Sequence, residues 1–258
     1  MRKRRPNSHK GENGQVAIIG GGPTIHGAPL FATLAAEASG VDLLFVSLPK
    51  IHAEVAKSTS LNFQVHPFAG NAFQKKDCSL LLELLASVDC AVIGPGITEG
   101  TTHLLALLKQ APCPLVLDAG ALQAGTLKAI KGKTAVLTPH HGELKRLGIG
   151  EKELEKTANE FGVTIFLKGP VDVVASPKQK LKKIAGGNAG LTVGGTGDAL
   201  AGLIGGLIAL GAPPFDACVL AGTIMKKAGA ELLKEKGYAF TTRDVIQLIP
   251  RLLAQYDR

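Results

Sequence analysis

The sequence predicts an α/β protein with a mostly parallel central sheet and helices on both faces. Short apolar runs of β type alternate with longer segments of helical periodicity. Several of the short runs (VAII, AVI, LVL, AVL, TIFL) are continuously apolar, as strands covered on both faces require. Glycine and polar residues gather just after these runs. That places a binding crevice beyond the C-terminal ends of the strands.

Taken in order, the first strand is expected at 16–19 and runs into Gly20, Gly21 and Gly22. A helix over 27–38 leads to strands at 42–48 and 62–68, and a second helix covers 79–86. The strand at 90–94 opens into Gly94, Pro95 and Gly96, with a helix over 100–109 after it. The strand at 115–118 ends on Asp118. The strand at 134–137 runs into Thr138, Pro139, His140, His141, Gly142 and Glu143, and short helices follow at 142–147 and 152–161. The strand at 163–168 ends on Lys168, next to Gly169, and the last strand is expected at 172–175. Three long helices close the chain, at 197–210, 214–236 and 242–255. No linker, repeat or low-complexity block interrupts this rhythm. One domain over 1–258 is expected, with 1–14 as a basic, solvated N-terminal arm.

Composition narrows the class. The chain has 258 residues, 45% hydrophobic and 19% charged, which excludes a largely disordered protein. Its 32 glycines follow no Gly-X-Y period, which excludes collagen. Cys78, Cys90, Cys113 and Cys218 form no CxxC pair, so reduced thiols are expected rather than disulfides or a zinc site. No secretory signal is visible, and the longest uncharged apolar run, between Asp198 and Asp216, is broken by Pro213 and Pro214. The expectation is a cytoplasmic protein with no membrane partner. The net charge is +8, but the basic run Arg2–Arg5 has no interleaved aromatics, so no nucleic-acid partner is expected.

The densest glycine cluster runs from Gly187 to Asp198 (GNAGLTVGGTGD) and leads directly into an apolar helix. Glycines before a helix let backbone N–H groups converge on an anion at the positive end of the dipole, so phosphate binding is the natural use. Asp198 then has two readings. It is a first-turn carboxylate that interacts with the dipole, or a base that takes a proton from an attacking hydroxyl during phosphoryl transfer. Gly202, Gly205 and Gly206 lie inside the helix and are expected to allow close packing against the sheet. A P-loop is absent, because Gly132-Lys133-Thr134 has Leu127 where the first glycine belongs. A dinucleotide fingerprint also fails: Ile25 takes the third glycine's place, and the second strand ends Val46-Ser47-Leu48 without an acid.

Lys168 either meets a nucleotide phosphate or snorkels from its strand end. Glu143 reads as a helix first-turn carboxylate rather than a metal ligand, and no protein-held metal is expected. His26, His52, His66 and His103 show no partner pattern.

Together these segments resemble the ADP/ATP-dependent NAD(P)H-hydrate dehydratases of the ribokinase-like superfamily, which have a three-layer fold. The resemblance rests on Ser8-His9-Lys10-Gly11, Gly20–Gly22 with Gly27-Ala28, Gly94-Pro95-Gly96, Asp118-Ala119 with Ala121-Leu122, Thr138-Pro139-His140 with Gly142-Glu143, Leu167-Lys168-Gly169, and Gly187-Asn188-x-Gly190 leading into Gly194–Asp198. It implies repair of nicotinamide cofactor hydrated at C6 of the ring, by phosphorylation of the ring hydroxyl and elimination of phosphate. It further implies ADP or ATP as donor, accompanied by Mg2+. Asp198 is then the catalytic residue. Lys168, Gly169, Asp172, Asn188, Gly195, Thr196 and Gly197 are implied on the nucleotide side. Ala28, Gly96, Asp118, His140 and Asp198 are implied around the hydrated cofactor. A homo-oligomer is expected, with apolar helices such as 79–86 available to pack between subunits.

Four places depart from that family's pattern, the first of them His141, which stands where a proline is usual. Ile25 and His26 stand where a tyrosine is usual, Gly120 replaces an aspartate, and Asp172 replaces a threonine in the nucleotide loop. Ile25, Gly120 and Asp172 motivate one alternative, a small-molecule kinase of the same fold acting on another hydroxyl; Asp172 and the basic arm motivate a second, an inactive nucleotide-binding or interaction protein.

Overall fold

A computed structural model describes residues 4–98 and 102–256. The start of the basic run Arg2–Arg5 and the start of the helix expected over 100–109 lie outside the described residues. The sheet has nine strands in the order β3-β2-β1-β4-β5-β6-β7-β8-β9. These are β1 Gln15–Ile19, β2 Leu43–Ser47, β3 Phe63–Val65, β4 Cys90–Ile93, β5 Leu115–Leu117, β6 Ala135–Leu137, β7 Thr164–Leu167, β8 Asp172–Ala175 and β9 Lys182–Ile184. β1 to β7 are parallel, and β8 and β9 are antiparallel additions at one edge.

Residues on the two faces of the strands feed separate cores. On one face, Val16, Ile18, Val92, Val116 and Val136 pack against α1 Gly27–Ala38, α8 Thr196–Ala209, α9 Pro214–Lys236 and α10 Thr242–Leu253. On the other, Ala17, Ile19, Ile93, Leu117 and Leu137 meet α3 Cys78–Leu85, α4 Thr102–Gln110 and α7 Leu154–Phe161. This gives the three-layer α/β arrangement that continuously apolar strands predict. Among the described residues no helix is long and apolar enough to cross a membrane.

Some expectations need correction. β9, α2 Ala53–Thr59 and α5 Thr126–Ala129 were not foreseen. β9 reads KKI and carries no apolar run; it becomes a strand by pairing with β8. The described part of the basic arm is not a free solvated tail. Arg4 pairs with Asp42, and the same carboxylate accepts from Gly11 N at 2.9 Å and from Asn13 N and Nδ2 at 3.1 and 2.9 Å. Burial alone would raise the Asp42 carboxyl, but the Asn13 and Gly11 hydrogen bonds and Arg4 together hold it below its ordinary value. The helix near 79–86, α3, buries Leu81, Leu84 and Leu85 in its own core and leaves Leu80 exposed.

The glycines inside α8 also divide. Gly205 meets the sheet, where a Cβ would lie 2.5 Å from Val92 Cγ2. Gly202 and Gly206 instead face α1, where a Cβ would lie 2.0 Å from the Ala32 carbonyl oxygen and 2.2 Å from Ser39 Oγ. Two of the three therefore serve helix-to-helix contact rather than packing against the sheet.

Candidate active site

The site is assembled from the chain segments that leave the C-terminal ends of the strands. After β1, Gly21 takes φ +87° and its N–H donates to the Pro95 carbonyl at 2.7 Å. After β4, Gly94 takes φ +118°, and a Cβ there would lie 1.9 Å from the Asp118 carbonyl oxygen. Loops from three strands thus touch backbone to backbone, which only glycine permits. A Cβ on Gly96 would stand 2.9 Å from Ile25 Cγ2 and 3.1 Å from Ala28 Cβ, so the Gly96 loop and the start of α1 form one wall.

His52 fixes that wall. Its Nε2 lies 3.2 Å from the Gly22 carbonyl and 3.1 Å from the Pro23 carbonyl, so it donates there, and its ring rests against His26 at 5.2 Å between centroids. Neither histidine showed a partner pattern, because these contacts cross between separate loops. An open cleft of about 340 Å³ lies here, lined by Thr24, Ile25, His26, Gly27, Ala28, Phe31, Gly195 and Asp198. Phe31 was not singled out by sequence; it lies where a Cβ on Gly195 would be, 2.4 Å away. A second cavity of about 350 Å³, lined by residues such as Leu127, Leu147 and Phe161, shares no residue with the strand-end site.

α8 starts at the floor of the cleft. Gly195 caps it at φ +94°, and Asp198 sits in its first turn. The preceding chain is held by Asn188, whose Oδ1 accepts from Gly190 N at 2.9 Å and whose Nδ2 donates to the Gly229 carbonyl at 2.6 Å. Thr196 Oγ1 donates to the Val193 carbonyl at 2.8 Å. Asn188 and Thr196 therefore shape the glycine segment through their own hydrogen bonds, and Gly195 and Asp198 bring the start of a 14-residue helix to the edge of the cleft.

Beside that opening lies a cluster of ionisable groups. Asp118 follows β5 and is 2% exposed; its Oδ1 accepts from Lys168 Nζ at 2.7 Å and from Thr138 Oγ1 at 2.9 Å. Glu143 belongs to α6 His141–Arg146 and lies 3.7 Å from Lys168 Nζ. It also closes a reciprocal cap: Glu143 Oε2 accepts from His140 N at 2.9 Å, while His140 Nδ1 accepts from Gly142 N at 2.9 Å and Glu143 N at 3.3 Å. Glu143 is thus both the first-turn carboxylate its position suggests and a partner of Lys168. A Cβ on Gly197 would lie 3.3 Å from Lys168 Nζ, so the ammonium reaches the start of α8. Burial works against the Lys168 charge, but Asp118, Glu143 and Asp198 together raise it above its ordinary value. Asp198 goes the other way: burial and the carboxylates of Asp118 and Glu143, only partly offset by Lys168, push it up to about 7.

Asp172, at the start of β8, turns away from the opening. Its Oδ1 accepts from Gly169 N at 2.9 Å, and its Oδ2 lies 3.3 Å from Lys226 Nζ. Lys226 also donates to the carbonyls of Gly169 and Pro170, at 2.9 and 3.1 Å. A carboxylate at this position is therefore paired within its loop rather than aimed at a phosphate. The Gly120 departure has a steric cause, since a Cβ there would lie 2.0 Å from the Ile97 carbonyl oxygen. Among the described residues no group of three His, Cys, Asp or Glu is placed to hold a metal ion.

Fold and site together define a three-layer enzyme of ribokinase-like architecture, with a base candidate at a glycine-led helix start. The chain belongs to the NAD(P)H-hydrate dehydratase family, whose model matches residues 16–251. It is 36% identical to the ADP-dependent (S)-NAD(P)H-hydrate dehydratase of Cenarchaeum symbiosum, over 99% of this chain and 93% of that one. It is 35% identical to the protein of the same name from Nitrosopumilus maritimus, with the same coverage. Among solved structures, it superposes on the ADP/ATP-dependent NAD(P)H-hydrate dehydratase of Bacillus subtilis co-crystallised with ATP and Mg2+. That match has a TM-score of 0.81 and 24% identity, and covers 99% of this chain and 94% of that one.

Proposed function

We propose that this protein dehydrates hydrated NADH or NADPH back to the working cofactor, using ADP or ATP. The observation that carries this reading is Asp198. It is raised to about 7, faces the cleft from the first turn of α8, and has Lys168 beside it, in a chain whose family model spans nearly its whole length.

In this reading Asp198 takes the proton of the ring hydroxyl at C6. The oxygen attacks the terminal phosphorus of the nucleotide, and the bond to the departing nucleotide breaks. The ring nitrogen's electron pair then drives out phosphate, the neighbouring carbon loses a proton, and the ring double bond is restored. Gly195, Thr196, Gly197, Asn188, Lys168, Gly169 and the loop fixed by Asp172 would face the nucleotide. Ala28, Gly96 and His140 would face the hydrated cofactor, with Asp118 behind Lys168. Mg2+, bound with the nucleotide, supplies charge neutralisation of the phosphates and would be held mainly by them.

The unbroken sheet supports treating 1–258 as one domain. The four cysteines are unpaired thiols, which suits the cytoplasm. The expected homo-oligomer is checked by sedimentation of the full chain.

The test is to incubate hydrated NADH with ADP or ATP and Mg2+ and follow recovery of reduced-nicotinamide absorbance. NADH with inorganic phosphate is the expected product. A stable phosphorylated alcohol from another substrate would make the protein a kinase instead, and no nucleotide turnover would make it a binding protein.

A further inference from the structure

Lys168 stands among three carboxylates that come from three different parts of the chain, Asp118, Glu143 and Asp198. Its ammonium lies 2.7 Å from Asp118 and 3.7 Å from Glu143, and reaches within 3.3 Å of where a Cβ on Gly197 would be. Asp118 and Glu143 are 2% and 5% exposed, and neither lines the cleft that Asp198 faces. Both are fixed from behind. Thr138 Oγ1 donates to Asp118, and the His140 N–H donates to Glu143. His140 Nε2 and Arg146 lie 3.5 and 3.7 Å from the other Glu143 oxygen. The remaining charges nearby, Asp172 on β8 and Lys226 on α9, pair with each other at 3.3 Å.

An ammonium placed directly against Asp198 would hold it as a weak, permanently ionised base. Here the ammonium is drawn back onto the two rear acids. We propose that Asp118 and Glu143 are positioning residues that act both through Lys168 and by their own charge. They hold its ammonium beside the start of α8 yet leave Asp198 only partly neutralised, so that Asp198 accepts the hydroxyl proton near neutral pH. The raised Asp198 carboxyl fits this arrangement, with burial its largest cause and Asp118 the next. A base matched to the working pH is the efficient one.

The inference rests on reading Asp198 as the base, but its test does not need turnover. Carboxyl 13C NMR of the full-length protein follows the titration of Asp198, assigned by its disappearance in Asp198→Asn. Asp118→Asn is expected to move the midpoint down by about one pH unit or more, and Glu143→Gln to move it down by less. Lys168→Met moves it up, and Lys168→Arg returns it toward the wild-type value. A merely structural role would lower thermal stability and leave the midpoint in place. If Asp118→Asn does not fold, Glu143→Gln and Lys168→Met carry the same opposite-signed shifts. Midpoints unmoved in the folded variants overturn the inference. In parallel, the acidic limb of the kcat profile for hydrated NADH should follow the NMR shifts. Shifts without any wild-type turnover would sink the proposed reaction and leave the inference standing.

Discussion

Asp198 occupies a first-turn position where the dipole of α8 favours a carboxylate. Burial outweighs that effect, Asp118 and Glu143 add to burial, and the group rises to about 7. Replacing it by asparagine keeps the shape and removes the base. Steady-state kinetics of Asp198→Asn should show kcat reduced by about 10²–10⁴-fold, with the thermal melt still cooperative. Near-normal turnover would rule out the base role. The same residue predicts a pH effect on stability. A carboxyl raised above its ordinary 3.8 holds its proton more tightly in the folded chain than in the unfolded one. Its contribution is complete below the unfolded value and is lost as the pH climbs through about 7. At about pH 8 the variant should therefore melt above the wild type, by about 2–4 °C for each kcal/mol relieved, and at about pH 5 the gap should narrow. Calorimetry at the two pH values decides it. The residue types at this site were legible in the sequence, but Asp198 remained balanced between cap and base. Its environment comes from Asp118, Lys168 and Glu143, which other strands and loops deliver.

At the scale of elements, α1 against α8 is the contact most sensitive to volume. Alanine is the better helix former by about 1 kcal/mol, so Gly202→Ala would stabilise an isolated helix. Within the fold its Cβ would lie 2.0 Å from the Ala32 carbonyl oxygen, a backbone atom that cannot swing aside. Overpacking of this kind costs about 1–3 kcal/mol or more, so Gly202→Ala should lower the urea midpoint. Gly194→Ala, which meets nothing within 4 Å, should change it little. The loop between β7 and β8 depends instead on Lys226 of α9, which holds two of its carbonyls and Asp172. Lys226→Met leaves the Asp172 carboxylate buried without its cation. It should raise the KM for ADP or ATP about tenfold while moving the KM for hydrated NADH less. Equal shifts in both constants would show that the loop does not serve the nucleotide. The ends of α1 and α9 were legible because long apolar stretches run between clear stops. α2 and α5 were not, because seven and four residues show little helical period, and β9 was not, because KKI lacks the apolar run that marked strands as short as β5 and β6.

Across the whole molecule, the sheet must end without recruiting another strand. One edge is the three-residue β3, too short to template much pairing. The other edge is β9, where Lys182 and Lys183 are both exposed and continue a basic stretch begun by Lys178 and Lys180. Lysine on an edge strand opposes edge-to-edge pairing, because a docked strand would bury or crowd the ammonium groups. The double variant Lys182→Val/Lys183→Val should fold as the wild type does but associate as concentration rises. Light scattering over a dilution series would show this, and a monodisperse variant would refute it. Part of the +8 charge thus has a structural use that needs no polyanionic partner.

By itself the sequence determined the α/β class, the run of parallel strands and the edge on which the site lies. Those features follow from local periodicity and from glycines placed where one chain segment must approach another. It also identified the glycine-led helix start and the acid inside it. Only the tertiary structure decided what the charged side chains face. Lys168 finds Asp118 across 50 residues of chain, and Lys226 reaches the Gly169 loop across 57. His52 holds the Gly22–Pro23 turn across about 30. A carboxylate's role depends on which cation the fold places beside it, and no local pattern records a pairing made through space.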